Sequence, residues 1–172
     1  MLLNLSLFKA GWLAAVFAAA ASLPVLGTAV IGIAVVVHLL RSDEPRDEAL
    51  LLALAAAIGF AWESLLVYTG IVSYGSNAAL AGTAPYWIVA MWVLFATTLN
   101  VGMSWLRKNL LVASLFGALG GPMSFLAGEK AGAVSFSDTS TALVVIGLGW
   151  AVLLPLLVRY ASRNDERVAV MA

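Results

Sequence analysis

Six stretches of this chain are apolar over lengths near the ~20 residues that a helix needs to cross a bilayer. They fall at 3–22, 24–40, 49–72, 85–106, 110–128 and 141–160. In a chain of 172 residues, so much apolar sequence excludes an ordinary water-soluble domain. Its residues are 63% hydrophobic and only 10% charged, whereas soluble domains are about 45–50% apolar and about 25% charged. Disorder demands the opposite composition. The 15 Gly and 5 Pro follow no fixed period, which excludes a collagen-like chain. The expected fold is therefore all-α: a polytopic transmembrane bundle of about six helices, forming one integral membrane domain over 1–172.

Local signals place the helix ends. Pro24 and Pro85 suit a first helical turn, where no N–H bond is lost. Ser137, Asp138, Thr139 and Ser140 offer N-cap oxygens for the sixth helix. About one residue separates the first two helices, which predicts a tight hairpin. The start loosely resembles a signal peptide, but its first charge, Lys9, follows apolar residues instead of preceding them. It is read as a retained helix.

Lysine and arginine set the orientation. Six spans put both termini, the 2–3 loop and the 4–5 loop on one side. That side holds Lys9, Arg41, Arg46, Arg107, Lys108, Arg159, Arg163 and Arg167, and the other holds Lys130 alone. Both termini are expected to be cytoplasmic. The chain reads as a multi-pass protein of the bacterial inner (cytoplasmic) membrane.

Several functions are excluded. Net charge is zero with no basic stripe, so no nucleic-acid partner is expected. There is no cysteine, hence no disulfide, thiol catalysis or cysteine metal site. Walker, dinucleotide, His-pair and G-x-S-x-G motifs are missing. No cofactor and no metal are expected.

Residues 84–136 carry a more specific pattern. Pro85, Trp87, Trp92, Phe95, Ala96, Thr97, Thr98 and Leu99 are followed by Trp105 and Leu106, then by Gly117, Ala118, Gly120, Gly121, Pro122, Ala127 and Gly128. This resembles a family of small bacterial inner-membrane proteins known only as a domain of unknown function. Phe125 stands where the family pattern has Tyr. In the third helix Gly59 and Glu63-Ser-Leu-Leu66 also fit, with Glu63 where Asp is commoner. The resemblance implies a setting near membrane-lipid-modifying enzymes and establishes no activity.

Glu63 is the foremost candidate. It lies about 21 Å along the third helix, where a carboxylate costs roughly 2.5–3.5 kcal/mol on insertion scales. It should turn inward, as a proton carrier, general acid/base or head-group partner, or as a structural acid bonded to a facing helix. Asn100 shares a face with Thr97 at i,i+3 spacing. The pair offers a substrate contact or inter-helix hydrogen bonds. His38, the single histidine, could join Asn100 in a polar cluster at the cytoplasmic leaflet, and its depth argues against a dyad with Glu63. Gly120, Gly121 and Pro122 are expected to break the fifth helix and line a site, because Pro122 frees the Ala118 carbonyl. The alternative is close packing through Gly117, Gly121, Ser124, Gly128 and Gly132. Trp92, with Trp62 and Trp150, lies deep enough to wall a cavity. Trp12, Trp87, Trp105 and Tyr160 resemble an interfacial belt. Lys9 snorkels to the surface or binds a lipid phosphate.

Three functions remain open. One is binding or modification of a lipid-like molecule in a cavity formed by Glu63, Trp92, Thr97, Asn100 and the helix 5 break. Another is a small transporter or channel subunit. The third is a non-catalytic assembly protein with a membrane-protein partner or a second copy of itself. Membrane lipids are expected partners in each.

Overall fold

The structure is a computed structural model that describes residues 1–74 and 82–163. Among these are six α-helices: α1 Leu2–Ala20, α2 Pro24–Leu40, α3 Pro45–Tyr68, α4 Tyr86–Ala96, α5 Leu110–Lys130 and α6 Thr139–Ala161. The fold is all-α. A 3₁₀ helix, Ser104–Lys108, joins α4 to α5. Two short strands, β1 Val72–Ser73 and β2 Ser135–Phe136, pair antiparallel and tie the α3–α4 connection to the α5–α6 turn.

Four helices are long and apolar enough to cross a membrane: α1, α3, α5 and α6. The protein is a membrane protein on that evidence. Helix α2 has 17 residues and α4 only 11. At 1.5 Å per residue α4 is about 16 Å long, half a hydrocarbon core. The expected fourth span over 85–106 is thus corrected. Thr97 and Thr98 end the helix early, because their hydroxyls bond the Leu94 and Phe95 carbonyls at 2.7 Å each, and such local bonds compete with the helical ladder. The Thr98 carbonyl then accepts from the N–H groups of Val101, Gly102 and Met103, which curls the chain into the 3₁₀ helix.

Other boundaries differ for equally local reasons. Helix α3 begins at Pro45, not at 49, with Pro at its first position. Helix α5 runs unbroken through Pro122 to Lys130. Its start is capped by Asn109, whose Oδ1 accepts from Leu111 and Val112 N–H. Asp138 caps α6, accepting from Thr141 N–H at 2.7 Å. The α1–α2 hairpin closes through Ser22 at φ 61.

Along the chain the helices alternate in direction. One end of the bundle, here the near end, holds Met1 and the α2–α3 and α4–α5 connections. The far end holds the other connections. Arg41, Arg46, Arg107, Lys108, Arg159 and Arg163 gather at the near end, and Lys130 lies at the far end. Arg167 is outside the described residues.

Packing relies on glycines that seat tryptophans. A Cβ on Gly59 of α3 would lie 2.3 Å from the Trp92 ring of α4. One on Gly149 of α6 would lie 2.2 Å from Trp62 of α3. One on Gly117 of α5 would lie 2.3 Å from the Trp150 carbonyl oxygen, and one on Gly121 would meet the Trp150 ring at 2.5 Å. Small residues let helices approach closely where lipid supplies no hydrophobic drive for association. The stripe on α5 is consequently filled from within the chain, by α6.

Candidate functional site: an aromatic cavity beside Glu63

Glu63 belongs to a buried stripe on α3 formed by Glu48, Leu51, Leu52, Ala55, Gly59, Glu63 and Leu66. That spacing of three and four turns the carboxyl into the bundle. Glu63 is fully buried and both its oxygens accept hydrogen bonds. Tyr74 Oη–H donates to Oε2 at 2.5 Å, and Trp92 Nε1–H donates to Oε1 at 2.8 Å. Gly70, at φ 71, turns the chain back after α3 and so brings Tyr74 over the acid. Burial, followed by the Glu63 carboxyl, holds the Tyr74 phenol well above its ordinary value of 10, so it remains a protonated donor.

From this acid an aromatic column crosses the bundle. The Trp92 ring stacks on Trp150 of α6, centroids 4.6 Å apart and 19° from parallel. Phe95 meets Trp150 edge-on at 5.1 Å. Tyr74 in turn meets Trp87 edge-on at 5.5 Å. Trp87 is only 2% exposed, so it is a core residue and not part of an interfacial belt.

These rings wall a cavity of about 520 Å³ between α1 and α5. Helix α1 supplies Phe8, Lys9, Trp12 and Val16, while α5 supplies Gly117, Gly120, Gly121 and Ser124. Helix α4 forms the floor with Trp87, Met91, Trp92 and Phe95. Apart from Lys9, Glu63, the Tyr74 hydroxyl and Ser124, the lining is apolar and aromatic. Its rim includes Leu13, Phe116 and Met123, all exposed on the outer face of the bundle. The cavity therefore opens sideways. Across the opening Trp12 Nε1–H donates to Ser124 Oγ at 3.1 Å.

A second, polar pocket of about 400 Å³ lies at the near end. His38 Nε2 and Glu48 Oε2 are 2.9 Å apart. Asn100 Nδ2–H donates to Glu48 Oε1 at 2.5 Å, and Arg107 donates to Asn100 Oδ1. Asn4 Nδ2–H donates to the Thr97 carbonyl at 3.0 Å and also faces His38 Nδ1 at 3.5 Å. A donor facing Nδ1 and an acceptor facing Nε2 fit the Nε2–H tautomer of His38.

The single pocket expected from sequence is thus two. Glu63, Trp92, Gly120 and Gly121 adjoin the aromatic cavity. His38, Thr97 and Asn100 line the polar pocket. The Thr97 hydroxyl already bonds Leu94, so its carbonyl is what serves the cluster. Pro122 does not break α5. The Ala118 carbonyl it frees faces Gly147 of α6, where a Cβ would lie 3.1 Å away. His38 and Glu63 do not meet.

Four participants escaped the sequence reading. Tyr74 sits outside every helix and gave no signal. Arg107 had been counted only as a charge. Asn4 stands among apolar residues at the start of α1. Glu48 ends the mixed-charge run 41–48, although it extends the α3 stripe by one turn, and that periodicity is the signal that identifies it.

A family model described as protein of unknown function (DUF2878) matches residues 1–156, and the chain belongs to that family. No curated protein and no solved structure matches the chain.

Proposed function

We propose that this protein binds a lipid-like molecule in the cavity between α1 and α5, in a bacterial inner membrane with both termini cytoplasmic. The observation that carries the reading is the cavity itself. Its ~520 Å³ lies within the range of ligand pockets, about 300–1,000 Å³. Its walls are apolar and its rim reaches the face that meets lipid, so a hydrophobic ligand can enter from the bilayer without crossing water. The charge asymmetry between the near and far ends supports the orientation.

Glu63 then acts chiefly as a positioning residue. Its oxygens hold Tyr74 and Trp92, which form part of the cavity wall. The unbroken α5 removes the broken-helix argument for a transporter. The internal use of Gly117 and Gly121 removes the same residues from a role in docking a partner.

Gly120 offers the test. A Cβ there meets nothing within 4 Å, yet the residue lines the cavity. A Gly120→Leu variant fills the space without a clash at the backbone. Purified in mild neutral detergent, wild-type protein should retain lipid detectable by mass spectrometry after solvent extraction, and Gly120→Leu should retain at least tenfold less at equal folded yield. Equal lipid content in both would overturn the assignment of the cavity.

A further inference from the structure

Within the described helices, charged side chains lie at the ends with two exceptions. Lys9 and Glu63 are the only Lys, Arg, Asp or Glu residues among the described helices that lie more than a turn from either end. Both line the same cavity. Placing either there is costly, and their circumstances differ. Glu63 has two hydrogen-bond donors. Lys9 has no ion-pair or hydrogen-bond partner among the described residues.

Position sharpens the contrast. Lys9 stands toward the near end of the α1 wall, about 10 Å before Val16 at 1.5 Å per residue. Along α5 the wall continues from Phe116 to Gly128, about 18 Å. The cavity is thus an apolar slot with one cation near one end that has no counter-charge among the described residues. A dry apolar cavity of about 150 Å³ accommodates benzene. A volume of about 520 Å³ therefore holds on the order of 20 carbon atoms, the size of one long tail rather than two.

We infer that the cavity takes a single-chain anionic amphiphile, with its acidic head group on Lys9 and its tail along the slot toward Tyr74 and Val134. This rests on the lipid-binding reading and names the class of lipid. A carboxylate and a phosphate monoester share the chemistry that Lys9 recognises. The tail covers the aromatic wall, and the head group stays near the charged end of the bundle, where water and counter-charges are at hand.

The experiment compares three probes with the same oleoyl tail: oleate, oleoyl lysophosphatidate and neutral monoolein. Each is titrated onto full-length protein in neutral detergent. Wild type should bind at least one of the two anions tenfold or more tighter than monoolein, and the tighter anion identifies the head group. Lys9→Gln should bring that anion to the monoolein level without changing monoolein itself, and Lys9→Arg should restore the preference. Gly120→Leu should lose all three. If wild type binds all three alike, or Lys9→Gln keeps the anion preference, this inference fails while lipid binding stands. If no oleoyl probe binds wild type, the lipid reading fails as well.

Discussion

Glu48 and Glu63 lie on one face of α3, fifteen residues and about 22 Å apart, and the chain treats them in opposite ways. Glu48 is knitted into helix ends. His38 of α2, Asn100 after α4 and Arg107 of the 3₁₀ helix all join its network, with Asn4 of α1 beside His38. Glu63 has two neutral aromatic donors and, among the described residues, no cation bonded to it. The first arrangement fixes where helices begin and end. The second holds two rings in place around an open volume. A buried carboxyl is therefore not one kind of signal: its partners decide whether it locks a fold or shapes a site.

The largest expected effect tests the lock. Glu48→Ala leaves the His38 and Asn100 donors without an acceptor and removes the acid on which the network converges. It should destabilise the protein by about 3–5 kcal/mol, the usual cost of breaking a buried polar pair from one side. Thermal unfolding in detergent, followed by loss of the monodisperse species, measures it. A double-mutant cycle with His38→Ala should show a coupling of about 1 kcal/mol or more. If the two single losses simply add, the near-end cluster is not one unit.

The next contrast lies on α5. Gly117→Ala drives a Cβ against the Trp150 carbonyl, and a backbone atom cannot swing aside. Overpacking of this kind costs about 1–3 kcal/mol. Gly120→Ala, three residues on, faces open space and should gain about 0.5–1 kcal/mol from helix propensity alone. Opposite signs from two glycines in one motif would confirm that one side of α5 is a seam and the other a cavity wall.

Much of this was legible beforehand, in uneven ways. The all-α bundle and the alternation of its helices follow from apolar run lengths and from where arginine and lysine sit. The inward turn of Glu63 follows from periodicity. What was not legible depends on contacts between distant segments. Tyr74 reaches Glu63 only because the chain reverses at Gly70. The early end of α4 depends on threonine hydroxyls that an apolar run length does not register. The run Gly117–Pro122 reads equally well as a break or as a seam. Only the position of Trp150 on the neighbouring helix selects the seam. His38 and Asn100 were paired correctly in space, but their common partner was hidden in a loop of mixed charge.

A milder substitution separates a shaping role for Glu63 from an acidic one. In Glu63→Gln the amide oxygen can still accept from Trp92, and the amide N–H₂ can donate to the Tyr74 oxygen. The cost should be about 1 kcal/mol, a single altered hydrogen bond. Lipid retention should persist. Glu63→Ala orphans both donors and should cost about 2–4 kcal/mol, with the aromatic wall loosened. If Gln instead abolishes lipid retention at normal folded yield, the carboxyl itself participates, and Glu63 is more than a clamp for two rings.

The smallest effect belongs to a third carboxyl, at the surface of the protein rather than inside the bundle. Asp138 caps α6 in full exposure to solvent. The Thr141 hydroxyl and backbone N–H hold its carboxyl below the ordinary value of 3.8. A lowered folded-state value means that its contribution is present above 3.8 and is lost as pH falls through the lowered value. Asp138→Asn still caps the helix and does not titrate. Unfolding in detergent, compared between neutral pH and pH below 3.8, should show a slightly smaller acid loss for Asp138→Asn than for wild type. An equal acid loss in the two proteins would show that the Asp138 cap makes no pH-dependent contribution.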